Sequence, residues 1–146
     1  MSYQEPPDFT TLRIEPESAA NTDYQPQYPY NNVQQTKGGH SFEMDDTPGR
    51  ERIRIQHGTS LTFIEMQPDG TEVHKINGNG FEITLKDKNL IVSGKLNISV
   101  QGDCYLTVEG DKVEQINGNY EQHIKGNFSQ VVEGVIESNA IEGATY

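Results

Sequence analysis

The stretch VSGKLNISVQGDCYLTVEGD, residues 92–111, decides the fold of this chain. It repeats an eight-residue unit: a β-branched residue, one variable residue, glycine, and then a short alternating run. Lys86 replaces the glycine once, and Gly80 is the one glycine of residues 68–139 that lies outside this phase. The octad glycines are Gly70, Gly78, Gly94, Gly102, Gly110, Gly118, Gly126 and Gly134. A fixed period of this kind is typical of a structural repeat.

From Gly78 on, the residue two places before each glycine position is β-branched and therefore suits an extended strand. We predict that these residues form an inward column, which consists of Ile76, Val92, Val100, Val108, Ile116, Ile124 and Val132. Asn or Asp often follows the glycine, as in a turn, and glycine is expected to relieve the steric conflict there. Eight residues cannot hold two strands and a return, so the unit is one short strand and one corner.

Alternation assigns the faces of each octad strand. Successive side chains of a strand point to opposite faces, so the second, fourth and sixth residues after the glycine share one side, which we predict to be the inside. Further along the repeat, polar residues take this phase: Lys112, Glu114, Gln122 and Gln130. Buried charge is costly unless it is paired. Lys112 and Glu114 are therefore expected to bridge between chains or to hold ordered water or ions, unless a local register change turns them outward.

Composition limits the core and the partners. The 146 residues are 32% hydrophobic with a mean hydropathy of −0.74, which is little for the core of a monomer of this length. Either much of the chain is disordered or the core is shared between chains. The net charge of −11 argues against nucleic-acid binding. The sequence has no apolar run of membrane-spanning length and no signal-peptide pattern.

Three segments follow one another along the chain. Residues 1–35 hold five of the seven prolines and no glycine, and we predict an extended docking arm, with a flexible tail as the alternative. Residues 36–67 alternate between polar and apolar and predict a small antiparallel β collar with strands at 40–44, 51–57 and 61–66. Residues 68–146 form the octad repeat and its C-terminal tip. Tyr24, Tyr28 and Tyr30 are the candidate docking residues of the arm, and the collar turn is Asp45, Asp46, Thr47, Pro48 and Gly49.

Residues with reactive side chains form no recognisable catalytic or metal-binding motif. The four histidines lack metal-ligand spacing, and the single cysteine, Cys104, cannot form an internal disulfide. Cys104 is predicted to be a small buried side chain, with a reactive thiol as the alternative. The sequence therefore predicts no catalytic residue, no cofactor and no metal site within one chain, although three chains could assemble an axial site.

The run GHSFEMDDTPGRERI at residues 39–53, followed by the Pro68-Asp69-Gly70 turn and the octads, resembles a known family. It is similar to the C-terminal β-helix of the central, cell-puncturing spike of T4-like contractile phage tails and to the related VgrG spike of type VI secretion. The resemblance implies an all-β fold in which three identical chains intertwine into a triangular prism. It also implies a virion baseplate protein, made in the host cytoplasm, that docks under the hub through its arm and pierces the host envelope on contraction. A PAAR-type tip protein could sit at the C-terminus, or Ile136, Ile141 and Tyr146 could close the prism themselves.

The chain departs from this family at its N-terminal end. Spike proteins of the family usually carry an OB-fold domain before the repeat, and T4's own version carries a lysozyme domain as well. Residues 1–35 are too short and too proline-rich for either, so we expect no enzyme in this chain. Two alternatives share the repeat: a VgrG-like secretion spike fragment and a polysaccharide-binding or cleaving β-helical tailspike. The tailspike needs long loops that the eight-residue spacing does not contain, and a monomeric solenoid would need a more apolar inward column.

Overall fold

A computed structural model describes residues 27–141, and no helix occurs among them. The described residues fall into two compact units that divide between Ser99 and Val100, and each unit is described by itself. None of the described residues forms an apolar helix of membrane-spanning length. The predicted all-β class is therefore confirmed for this part of the chain.

The first unit contains a five-stranded antiparallel sheet, hereafter the collar sheet. Its strands are β1 (Asn31–Gln35), β2 (Ser41–Asp45), β3 (Arg52–Gln56), β4 (Phe63–Met66) and β5 (Glu72–Lys75). Each strand pairs with the next one along the chain, so the sheet is a simple meander. The collar sheet has wider bounds than the collar predicted at 36–67, because β1 comes from the predicted arm and β5 from the predicted repeat.

The turn between β2 and β3 follows directly from its sequence. Proline fixes φ near the value that the second residue of a type II turn needs, and glycine accepts the positive φ of the third. Gly49 has φ 75°, and the backbone N–H of Arg50 donates to the carbonyl of Thr47 at 2.8 Å. The collar turn predicted at residues 45–49 is thus a tight turn that reverses the chain between two strands.

The turn between β4 and β5 changes the expected role of Gly70. Its φ is 85°, and its N–H donates to the carbonyl of Gln67 at 3.0 Å. The N–H of Gln67 in turn donates to the carbonyl of Thr71 at 2.8 Å, which closes a three-residue hairpin loop with glycine in the left-handed position. Gly70 shares the octad phase, but in the structure it belongs to this hairpin rather than to a repeat corner.

The loop between β3 and β4 differs from the predicted strand at 61–66. Leu61 has φ 57°, in the left-handed region that β-strands exclude, and β4 begins at Phe63, two residues later than predicted. The loop approaches the β1–β2 turn closely at Gly58. A Cβ on Gly58 would lie 2.3 Å from the carbonyl oxygen of Gly38, so only glycine fits there.

Residues after the collar sheet follow the octad period. Among described residues beyond Lys75, none lies in a hydrogen-bonded strand. Bends occur at residues 77–78, 85–86 and 93–94 in the first unit, and at 101–102, 109–110, 117–118, 125–126 and 133–134 in the second. Each bend falls at the glycine position and at the residue before it. The structure thus places a bend in each octad where the spacing predicts a corner.

From Gly78 onward, the octad glycines show neither a positive φ nor a close neighbour in the same chain. Positive φ occurs among the described glycines at Gly39, Gly49 and Gly70 alone. A Cβ added at an octad glycine from Gly78 onward would meet no atom of the chain within 4 Å. Neither backbone conformation nor crowding within one copy therefore accounts for the recurring glycine.

Candidate functional site

The collar sheet has one apolar face that a single chain leaves open. Facing residues of β2, β3 and β4 form two rows of three on this face, namely Phe42, Ile55 and Ile64, and Met44, Ile53 and Met66. All except Phe42 are 40–51% exposed. The edge strands contribute polar residues, Asn32 and Gln34 on β1 and Glu72 and His74 on β5. We call the six central residues the apolar face; its exposure and polar borders are typical of an interface.

Two open clefts lie at opposite ends of the apolar face. One has a volume of about 370 Å³ and is lined by Met44, Ile53 and Met66 together with acidic residues of the collar turn. The other, of about 610 Å³, is lined by Phe42 and Ile55 together with His40 and His57 and other polar neighbours. The apolar face is therefore not flat, and it offers concave sites for large side chains.

The opposite face of the collar sheet carries a buried ion network. Glu65 is 0% exposed, and Arg52 and Arg54 are buried beside it. Arg54 donates through Nη1 to Glu65 Oε2, Arg52 Nη1 lies 3.7 Å from the same oxygen, and Arg52 Nη2 donates to Glu43 Oε1 at 2.8 Å. The Arg54 guanidinium also lies over the ring of Phe63 at 3.9 Å, which is a cation–π contact. Burial of these charges depends on their mutual pairing.

The collar turn anchors the segment that precedes β1. Asp45 Oδ1 accepts hydrogen bonds from the backbone N–H of Thr47 at 2.8 Å and from its hydroxyl at 2.6 Å. The hydroxyl oxygen of Thr47 accepts a bond from the N–H of Gln27 at 3.1 Å, and the N–H of Asp46 donates to the carbonyl of Tyr30 at 3.1 Å. The start of the described chain is therefore fixed to this turn before it enters the sheet.

The side chains of Glu51, just after the collar turn, and of Tyr28 and Tyr30, in the segment before β1, are exposed. The N–H groups of Glu51 itself and of Gly49 hold the pKa of the Glu51 carboxyl below its usual value of 4.5. Tyr28 is 94% exposed and Tyr30 46% exposed. Tyr24, the third candidate docking residue, lies outside the described residues. Tyr28 and Tyr30 are therefore open to solvent in the segment that this turn anchors.

The octads separate into a more sheltered and a more open side. The predicted inward column from Ile76 to Val132 is 42–55% exposed in the single chain. Apolar residues of the other phase, Ile91, Tyr105, Val113, Val131 and Val135, are 82–89% exposed. The column residues are therefore less exposed than these residues, although one copy buries none of them.

The predicted polar interior is likewise open in one copy. Lys112 Nζ lies 3.0 Å from Glu114 Oε2, so these two residues pair within their own chain rather than needing a second chain for this contact. Their side chains are 53% and 61% exposed, and a pair this exposed contributes little to stability. Gln122 and Gln130 are exposed as well. Cys104, predicted to be buried, is exposed in the single chain.

No metal-binding arrangement is formed by the residues that the structure describes. They contain no group of three or more His, Cys, Asp or Glu side chains placed to hold a metal ion. His40 and His57 do meet, with ring centroids 4.4 Å apart. Each Nδ1, however, accepts a backbone hydrogen bond, from Gly58 at 3.0 Å and from Ser60 at 3.1 Å. These contacts serve the loops at this end of the sheet.

Sequence reasoning missed the two features that dominate the collar sheet, the apolar face and the ion network. The signal was present in the alternating run Arg52-Ile53-Arg54-Ile55, which places both arginines on one face and both isoleucines on the other. Alternation does not say which face is buried. Only pairing with Glu43 and Glu65 on the neighbouring strands makes burial of the arginine face possible.

Together, these features define, for residues 27–141, an all-β chain with a five-stranded collar, an octad repeat and exposed apolar surfaces. No protein-family model matches the chain. It is similar to two curated phage proteins. It is 49% identical over 78 residues, 53% of this chain, to "Protein Gp5" of Vibrio phage KVP40. It is 40% identical over 89 residues, 61% of this chain, to the "Pre-baseplate central spike protein Gp5" of Enterobacteria phage T4.

These similarities confirm the resemblance to the central spike of T4-like phages. The chain spans only a small part of both relatives, 18% of the Vibrio phage protein and 15% of the T4 protein. Both are phage proteins, and the T4 relative is named as a central spike protein of the pre-baseplate.

Proposed function

We propose that this chain forms the shaft of a central spike in the baseplate of a contractile phage tail. Three copies intertwine into a triangular β-prism beneath the hub, and the prism transmits the contraction force to the host envelope. The protein is then a virion component whose mechanism is rigidity. The relatives are phage proteins, and the T4 relative is named as a pre-baseplate spike, so neither the secretion-spike nor the tailspike alternative is favoured.

One observation carries the proposal of intertwined chains. Among residues 78–141, no backbone N–H donates to a backbone carbonyl of the described chain. Extended segments with open hydrogen-bonding edges need neighbouring strands. Because each corner redirects the chain after one short segment, its own next segment does not supply them, whereas two further copies winding about the same axis do.

Two further features support the same arrangement. The inward column is apolar and sheltered on one side only, so three columns that meet at an axis bury what one leaves open. The recurring glycine is unexplained within one copy, since a Cβ would meet nothing within 4 Å. Close approach by a strand of a neighbouring copy would explain the glycine, because a side chain at this position would leave no room for that strand.

The anchored turn supports a docking role for the arm. Tyr28 and Tyr30 are held near the collar turn by the hydrogen bonds of Thr47 and Asp46, and Tyr28 is almost fully exposed. Aromatic residues that are fixed and open in this way suit a protein interface. We place the hub beside these tyrosines, and a PAAR-type tip protein at the C-terminal part of the repeat, where Ile136 and Ile141 are exposed.

Solution mass tests the assembly. Light scattering of the intact protein is expected to give three times the 16.4 kDa chain mass, and the same ratio is expected after deletion of residues 1–26. The deletion stops before Gln27 because β1 and its anchor are part of the collar sheet. Binding of the hub protein is expected to weaken in the deletion variant and in Tyr28→Ala. A monomeric mass for the intact protein would refute the spike.

A further inference from the structure

The first octad after the collar sheet carries an apolar side where the later octads are mostly polar. Phe81, Ile83 and Leu85 alternate along one extended segment and are 79–93% exposed, the range of the open side of the repeat. Each of the six following octads has at most one apolar residue in the equivalent three places. On the other side of this segment, Glu82 pairs with Lys88. We call these three residues the apolar strand.

Each chain therefore has two apolar surfaces that it does not cover itself. The apolar face of the collar sheet and the apolar strand belong to the same compact unit, yet both remain exposed. A monomeric protein rarely exposes contiguous apolar surface of this kind without a partner. Each surface offers what the other lacks: the face has concave clefts at its ends, and the strand has three large side chains on one side.

We propose that the apolar strand of one copy packs on the apolar face of a neighbouring copy. The inference rests on the proposed trimer. Each chain carries one face and one strand, so in a closed ring of three every face receives one strand and none is left over. A foreign partner is not needed to match these surfaces, whereas neighbouring copies are already held together by the octads that begin immediately after β5.

The contact extends the role of the collar sheet. The sheet becomes a clamp in which each copy holds the first octad of its neighbour, and the polar edges on β1 and β5 confine the strand to the central rows. The buried ion network on the opposite side then stiffens the surface that receives the strand. The contact also explains why Phe81, Ile83 and Leu85 occupy alternate positions. Alternate side chains lie on one side of the segment, and that side meets the apolar face.

Cross-linking between distinguishable chains tests the contact. All chains carry Cys104→Ser. One chain carries Ile55→Cys and a C-terminal hexahistidine tag, and the other carries Ile83→Cys without a tag. The two are co-expressed, purified as the mixed assembly and treated with a short bismaleimide, so that a product joining the two chain types has its own mass on a denaturing gel.

The matched control replaces Ile83→Cys by Val113→Cys. Val113 is also β-branched, lies in the same open phase and is 89% exposed, but it is in a later octad. We expect at least fivefold more mixed product from the Ile55 and Ile83 pair than from the control. Equal yields in an assembly of threefold mass would overturn this contact and leave the trimer standing, whereas a monomeric mass would overturn both.

Discussion

Replacement of Glu65 by glutamine tests how strongly the buried ion network stabilises the collar sheet. Glu65 is 0% exposed, and its carboxylate lies between the guanidinium groups of Arg54 and Arg52. It also accepts a hydrogen bond from Gln67 Nε2 at 3.0 Å. Glutamine has nearly the same shape but no charge. Glu65→Gln therefore keeps the packing and removes one buried negative charge from beside two arginines.

The expected loss follows from the contacts that remain. Removal of one partner of a buried ion pair costs about 3–5 kcal/mol, because the other charge stays buried with less compensation. Arg52 keeps its bond to Glu43, and Arg54 keeps its bonds to Gln56 at 2.8 and 3.0 Å. We therefore expect a loss at the lower end, about 3 kcal/mol per chain.

Urea unfolding followed by circular dichroism measures this loss. Urea is uncharged and does not screen the ion pairs, and every variant is compared at one chain concentration because the stability of an assembly depends on it. The control is Glu72→Gln, whose contact with His74 is about half exposed and is expected to change stability by less than about 0.5 kcal/mol. If Glu65→Gln unfolds at the same urea concentration as this control, the buried ion network does not stabilise the collar sheet as predicted.

Three further predictions concern the turns and the corners. Gly58→Ala is expected to destabilise the collar sheet by at least about 2 kcal/mol in urea unfolding, since its Cβ would lie 2.3 Å from the carbonyl oxygen of Gly38; a neutral result would contradict the close approach. The thermal unfolding midpoint of Gly110→Ala distinguishes the proposed assembly from a monomeric solenoid. A lone chain would gain about 0.4–1 kcal/mol from the stiffer residue, whereas packed copies lose stability. For Asp69, the N–H of Thr71 is the main cause that lowers the pKa below 3.8, so its contribution is present above the unfolded pKa and is lost as pH falls through the lower folded value. A proton titration by NMR should give a midpoint below 3.8, and the turn in Asp69→Asn should lose this acid sensitivity.

Sequence patterns predicted the central strands and the corners because local chemistry specifies them. The alternation at 51–57 and the Pro48-Gly49 pair correspond to β3 and to the tight turn before it. The outer strands were missed for a physical reason. β1 contains one apolar residue, Val33, and β5 likewise contains Val73 alone, so neither shows the alternation of a half-buried strand; they form by pairing at the edges of the sheet.

Two single-residue expectations differ from the structure. Gly70 has the octad phase, but the hairpin between β4 and β5 determines its conformation. Leu61 was placed in a strand on its apolar character, but it has a left-handed backbone within the β3–β4 loop, where its N–H donates to the carbonyl of His57 at 3.1 Å. The expectation that Lys112 and Glu114 bridge between chains or hold water or ions stays a prediction, and within one chain the two side chains lie 3.0 Å apart.

The sequence by itself determined the eight-residue period, the strand-and-corner unit and the likeness to phage spikes, because each depends on residue types at fixed local spacing. Only the tertiary structure decided that the arginines of β3 lie on the buried face of the collar sheet and its isoleucines on the open one. The reason is that alternation divides residues between two faces equally well in either sense. Burial of the charged face depends on Glu43 and Glu65, which come from neighbouring strands and meet the arginines only when the chain has folded.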